Sequence, residues 1–279
     1  MEDRVTDDSR RCEGPGKVGR MKTVKIRTIE IGSGIPKICV PIVGASEKEI
    51  LSGADEIKDS AADLVEWRAD WYDGVFDINR TETILKELRK ILGELPILFT
   101  FRTLKEGGRK CIGTEAYVEL NRKIVRTGMA DLLDVEAFTG DDAVREIIKT
   151  AHEFGVKTVA SNHDFHKTPP RQEILSRLKK MQEMGADIAK IAVMPQSGKD
   201  VLTLLAATEE MVSEYAEIPI ITMSMEGTGV LSRISGEVFG SAVTFGCVGR
   251  ASAPGQMNAG NLKTVLGMLH NGMQRGGES

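Results

Sequence analysis

Several large classes of protein are excluded by what this sequence lacks. It has no uninterrupted apolar run of the roughly 18 residues that a bilayer-spanning helix needs, so no transmembrane segment is expected. Its four cysteines, Cys12, Cys39, Cys111 and Cys247, are far apart, with no CxxC pair and no histidine at metal-ligand spacing. Neither a disulfide framework nor a metal site is expected, and the composition fits a reducing cytoplasm. Aromatic residues make up only 5% of the chain, and 37 basic residues face 41 acidic ones, a formal charge of -4. Without a basic excess there is no footprint for nucleic acid or an anionic membrane surface, so the expected partner is a small molecule. No GxGxxG or P-loop follows the first strand-like segment, PIVGASEKEI, which counts against a doubly wound nucleotide-binding sheet.

What the sequence does have is a regular alternation. Residues 1–20 mix five acids with five bases, three glycines and no apolar stretch, and are expected to be disordered. Nothing hydrophobic follows the Arg10-Arg11 pair, so it does not read as an export signal. From Met21 onward, TVKIRTIEIGSG alternates apolar and polar residues and reads as a strand pair with a glycine turn. Eight short apolar runs follow, at 37–43, 64–70, 96–102, 132–138, 157–164, 188–194, 218–225 and 242–248. The intervals carry helix-period segments such as Thr81 to Leu92, Thr114 to Thr127, Asp141 to Glu153, Arg171 to Met184 and Val201 to Tyr215. Gly155 and Gly185 are placed to stop two of these helices. Eight strand–helix units closing on themselves predict an α/β (β/α)8 TIM barrel as one domain over 21–275, with 276–279 as a frayed end.

Barrel interiors are packed with apolar side chains, and catalytic groups sit at the C-terminal ends of the strands. Charged residues inside these runs are therefore informative. Glu66, Arg68 and Asp70 occupy alternate positions of the second run, Arg102 ends the third and is followed by Lys105 to Gly108, and Asp134 and Glu136 lie in the fourth. For Asp70 and Asp134 a buried ion-pair layer is at least as good a reading as direct chemistry. Lys190 resists a bland explanation: an amine among Ile188, Ala189 and Ile191 must shed solvation, and burial favours its neutral, nucleophilic form. Of four histidines only His163 falls at a strand end, one strand away from Lys190, where it can move protons beside an imine. Met223 and Met225 fit either core packing or a pocket wall.

These residues closely resemble the type I 3-dehydroquinate dehydratase family over about residues 21–271. The resemblance rests on EWRAD at 66–70, FTFRTLKEGG at 99–108, SNHDFHKTP at 161–169, KIAVMP at 190–195, MSM at 223–225, GEVFGSAVTFG at 236–246 and ASAPGQ at 251–256. It implies a barrel whose bottom is covered by an N-terminal β-hairpin. It also implies a lyase of the shikimate pathway, the route to aromatic amino acids, that removes water from 3-dehydroquinate without metal or cofactor, and a homodimer. Lys190 would form the imine, His163 would act as general acid and base, and Glu106 would orient His163. Arg233 would bind the substrate carboxylate, with Ser252 and Gln256 on a lid loop. Glu66, Arg68 and Arg102 would hold ring hydroxyls and charge balance, and Met223, Met225 and Phe245 would form an apolar wall. Ala189 departs from the pattern, which has proline before the lysine in many members.

Two rival functions are compatible with the same residues. One is a Schiff-base aldolase acting on a sugar phosphate, with Glu226-Gly227-Thr228-Gly229 as its phosphate loop. The other is a non-catalytic barrel that senses a carboxylated metabolite.

Overall fold

The computed structural model describes residues 21–249 and 255–275. The expected disordered tail at 1–20, the end at 276–279 and Ser252 lie outside the described residues.

The chain opens with a hairpin, β1 (Val24–Ile26) and β2 (Ile29–Ile31), paired antiparallel. Its turn is Arg27-Thr28, with Arg27 at φ 47°, rather than the glycine turn expected from IGSG. The glycines, Gly32 and Gly34, instead follow the second strand. Eight parallel strands and their helices then alternate. β3 (Lys37–Ile42), α1 (Glu47–Ile57), β4 (Leu64–Arg68), α2 (Ile78–Leu92), β5 (Ile97–Thr100) and α3 (Thr114–Arg126) form the first part. β6 (Leu132–Glu136), α4 (Asp141–Glu153), β7 (Lys157–Asp164), α5 (Arg171–Glu183), β8 (Ile188–Val193) and α6 (Gly198–Glu210) continue it. β9 (Ile220–Ser224), α7 (Val230–Ile234), α8 (Gly236–Phe239), β10 (Val243–Cys247), β11 (Met257–Asn258) and α9 (Ala259–Arg275) complete the described chain.

The strands pair in sequence order from β3 to β9, with β10 beside β3. A doubly wound sheet would reverse that order at a switch point. Closure is uneven. Seven gaps carry regular ladders. Among the described residues the seam between β9 and β10 carries one isolated bridge, Ile220–Ser241, with bonds from Ala242 N to Ile220 O at 2.8 Å and from Thr222 N to Ser241 Oγ at 3.0 Å.

Each strand divides its residues by parity. Val65 and Trp67, Phe99 and Phe101, Leu133 and Val135, and Ala189 and Ile191 pack outward beneath the helices in one apolar cluster. The inward positions at the strand starts, Leu64, Leu98, Leu132, Val159, Ile188, Ile221 and Val243, form a second cluster with Val24, Ile26 and Ile31 of the hairpin. The hairpin thus plugs the bottom of the barrel. Two residues further along the same inward rows stand Glu66, Thr100, Asp134, Ser161, Lys190, Met223 and Phe245. The period-two geometry of a strand therefore carries five of these rows from an apolar floor to a polar mouth, while Met223 and Phe245 keep the other two apolar.

Candidate active site

Eleven of the twelve site residues expected from the sequence line one cavity of about 290 Å³ at the mouth. They are Glu66, Arg68, Arg102, Glu106, His163, Lys190, Met223, Met225, Arg233, Phe245 and Gln256. The expected lid, Ala251 to Gln256, is described only at Gly255 and Gln256.

Lys190 projects inward from the middle of β8 and is 3% exposed. It is not the isolated amine that its apolar strand implied. Nζ lies 3.4 Å from Asp134 Oδ2, 3.6 Å from Glu66 Oε1 and 4.6 Å from the centre of the Phe245 ring. The Thr100 hydroxyl donates to Glu66 at 2.9 Å and the Ser161 hydroxyl donates to Asp134 at 2.6 Å, so both carboxylates are themselves fixed. Burial works against the charge of Asp134, but the cations of Arg102 and Lys190 and the Ser161 hydroxyl hold its carboxyl below the usual range.

Arg102 carries much of this layer. It ion-pairs with Asp134 at 2.8 Å, Glu136 at 3.0 Å and Glu106 at 3.6 Å, while almost completely buried. Arg68 makes a bidentate pair with Asp70 at 2.9 and 3.1 Å. Asp70 also accepts the backbone N–H groups of Arg102 and Arg109, which makes it a structural tie behind the cavity. Glu136 accepts both the N–H and the hydroxyl of Thr103 at 2.7 Å and anchors the loop that follows β5.

That loop delivers Glu106. A short 3-10 turn, Leu104–Glu106, ends at Gly107 with φ 83°, and a Cβ on Gly108 would fall 1.8 Å from the Arg102 carbonyl oxygen. The glycine pair of KEGG is thus required by a backbone that doubles back on itself. Glu106 Oε1 accepts from Asn162 Nδ2 at 3.1 Å, and Oε2 accepts the His163 backbone N–H at 3.0 Å and meets its ring Nδ1 at 2.9 Å. Burial, reinforced by Glu136 and Asp134, raises the Glu106 carboxyl to about 7 against the pull of Arg102 and Asn162. Burial also holds the His163 imidazole well below its usual 6.5, and Arg102, Lys190 and Arg68 push the same way. The imidazole is therefore neutral. With Glu106 ionised, Nδ1–H donates to the carboxylate, which leaves the lone pair on Nε2.

Arg233, on α7, is the exception among the cations. It is 4% exposed, burial lowers its pKa, and no carboxylate pairs with it among the described residues. Its Nε has no hydrogen-bond partner there. A buried guanidinium in that condition has the chemistry to pair with an anion.

The cavity also contains Pro41, Phe165, Ala192 and Met194, which sequence reasoning did not single out, together with Gly107 of the Lys105 to Gly108 segment and Glu226, which it had read only as part of a rival phosphate loop. The signal for three of them was present. Phe165 is two residues past His163, and Ala192 and Met194 are two and four past Lys190, on the same period-two row. The remaining histidines have other tasks or none here: His152 pairs with Asp187 and His270 with Glu237, both at 2.7 Å, and His166 is exposed. The candidate phosphate loop at 226–229 is a tight turn in which a Cβ on Gly229 would lie 2.1 Å from the Ser224 carbonyl oxygen. Backbone closure accounts for that glycine. Among the described residues no group of three or more histidine, cysteine, aspartate or glutamate side chains could hold a metal ion.

Comparison with known proteins gives the same picture. Residues 38–273 match the family model described as Type I 3-dehydroquinase. The chain is 54% identical to a 3-dehydroquinate dehydratase of Clostridium novyi (strain NT) over 90% of this chain and 99% of that one. It is 52% identical to a 3-dehydroquinate dehydratase of Escherichia coli (strain K12), again over 90% and 99%. The crystal structure of a type I 3-dehydroquinate dehydratase from Clostridium difficile with covalently modified comenic acid superposes with a TM-score of 0.88, at 51% identity over 91% of this chain and all of that one. A 3-hexulose-6-phosphate synthase at 15% identity and a TM-score of 0.55 shares the fold alone. This chain belongs to the type I 3-dehydroquinase family.

Proposed function

We propose that the protein removes water from 3-dehydroquinate to give 3-dehydroshikimate through an imine on Lys190, the third step of the shikimate pathway. The observation that carries this reading is the company kept in one cavity: a buried amine, a neutral imidazole oriented by a carboxyl, and a buried guanidinium with no carboxylate partner among the described residues.

In this reading the substrate carboxylate pairs with Arg233 and places the C3 ketone at Lys190. The Lys190 ammonium passes a proton to His163 Nε2, the freed amine adds to the carbonyl, and the carbinolamine hydroxyl leaves as water with the proton that His163 returns, which gives a protonated imine. Its positive charge takes the place of the ammonium between Asp134 and Glu66, so both carboxylates remain paired. The iminium is an electron sink for the C2–H bond. His163 Nε2 takes the C2 proton, and the electron pair forms an enamine. The enamine expels the C1 hydroxyl, which leaves as water with the proton that His163 returns. Hydrolysis of the product imine then frees the conjugated enone and Lys190. Acid–base assistance of this kind is worth about 100- to 10,000-fold. Met223, Met225 and Phe245 exclude water from the apolar side of the ring. Covalently modified comenic acid in the Clostridium difficile relative is compatible with such chemistry. A homodimer in the cytoplasm goes with this reading, and light scattering of the pure protein checks the first part.

Mass spectrometry after borohydride reduction in the presence of 3-dehydroquinate tests the reading directly. A reduced adduct on Lys190, together with appearance of the absorbing enone, is expected. Dehydration without an adduct would overturn the covalent route, and binding without enone would leave a sensor rather than an enzyme.

A further inference from the structure

Phe165 and Gly107 have no part in the chemistry above, yet they touch at a telling place. Phe165 directly follows β7, two residues beyond His163, and Gly107 directly follows Glu106. A Cβ on Gly107 would fall 2.3 Å from two carbons of the Phe165 ring, so the ring lies directly on the glycine backbone. The same ring stacks beside the His163 imidazole, with centroids 6.4 Å apart and planes 23° from parallel. Phe165 is 42% exposed and borders both the cavity and the outer groove. A large aromatic left so exposed is not there to fill the core.

The contact joins two segments that are already linked once. Through its carboxyl, Glu106 accepts from Asn162 and from the backbone and ring of His163. The turn is tied to its own strand end, with the Gly108 N–H on the Thr103 carbonyl at 2.8 Å and the Leu104 N–H on the Lys110 carbonyl at 2.9 Å, and it meets the end of β7 through the Glu106 carboxyl and the Phe165 ring. Phe165 on Gly107 adds an apolar contact one residue from the carboxyl, so ring packing and hydrogen bonding together fix the turn against β7. Any side chain at 107 would push the ring away, in addition to the strain of φ 83°.

We propose that Phe165, seated on Gly107, is a positioning residue that locks the Glu106 turn to the end of β7, keeping His163 Nδ1 on Glu106 and Nε2 directed at the substrate. The role of Nε2 rests on the dehydration reading, whereas the locked tautomer does not.

The test uses the full chain and the variants Phe165→Ala, Phe165→Tyr and Gly107→Ala. Dehydration kinetics are combined with 15N NMR of histidine-labelled protein at about pH 8, with the His163 signals assigned from His163→Ala. The wild type is expected to show one tautomer, protonated on Nδ1. Phe165→Ala is expected to show mixed tautomers and a kcat lowered up to about 100-fold, the scale of a small misplacement, with KM within about threefold of wild type. Phe165→Tyr keeps the ring and restores both readouts, whereas Gly107→Ala reproduces the loss. A rise in KM alone would make Phe165 a cavity wall and overturn the proposal, as would an unchanged tautomer in Phe165→Ala. If Phe165→Ala does not fold, Phe165→Leu, which lacks the flat face, gives the same discrimination. If the wild type produces no enone, the functional reading fails, and the NMR comparison still decides the lock.

Discussion

Replacing Glu106 by glutamine should change how stability depends on pH, by an amount that follows from the site. An ordinary glutamate carboxyl titrates at 4.5, and burial next to Glu136 and Asp134 moves that of Glu106 to about 7. Between these values the folded chain holds a proton that the unfolded chain has released. Stability therefore falls as pH rises through this window: the contribution of Glu106 is fully present below 4.5 and lost above about 7. At about 1.4 kcal/mol per pH unit, the loss comes to about 3 kcal/mol. Glutamine cannot ionise and can still accept the His163 backbone N–H. The stability of Glu106→Gln relative to wild type should therefore rise by about 3 kcal/mol between about pH 4.5 and pH 8. Urea unfolding followed by tryptophan fluorescence at a series of pH values measures this difference. The depressed imidazole of His163 has the opposite slope, being stabilising above its ordinary 6.5 and lost as pH falls. A difference between the two proteins that stays flat across the window would refute the claim that the Glu106 carboxyl is buried at the cost of its charge.

Three further outcomes follow from the same geometry. Arg233→Met removes a buried cation that has no carboxylate partner among the described residues; it should leave thermal stability equal or raise it by about 1 kcal/mol, while KM rises on the order of 100-fold, and an unchanged KM would unseat Arg233 as the carboxylate site. Gly108→Ala places a methyl group 1.8 Å from a carbonyl oxygen; a loss of about 3 kcal/mol or more is expected in thermal unfolding, whereas substitution at Gly113, where a Cβ meets nothing within 4 Å, should cost little. Lys190→Ala should abolish the borohydride adduct, and His163→Ala should still form it with negligible turnover; near-normal turnover of Lys190→Ala would end the imine mechanism.

Much of the barrel was legible because it is written in local periodicity. Each of the eight apolar runs contains a strand, and the predicted helix Asp141 to Glu153 coincides with α4. The hairpin was legible as strands but not at its turn, because Arg27 takes a positive φ that sequence assigns by default to glycine. Inward charged positions could be read from the alternation, as in Glu66, Arg68 and Lys190. The cavity residues Phe165 and Met194 lay on the same rows but just past the strand ends, where alternation no longer guarantees direction.

The sequence by itself determined the eight-fold repeat, the parity that turns acids, lysine and histidine inward, and the glycine pair that folds the Glu106 loop back. These depend on neighbours in the chain and on the two-residue period of a strand. Pairing was decided only in three dimensions. Glu106 reaches His163 across 57 positions and Lys190 reaches Asp134 across 56, through strands whose register and curvature set which side chains meet. Composition counts Arg68, Arg102 and Arg233 as three equal cations. The barrel closes two of them onto carboxylates and leaves the third buried and, among the described residues, without a carboxylate partner.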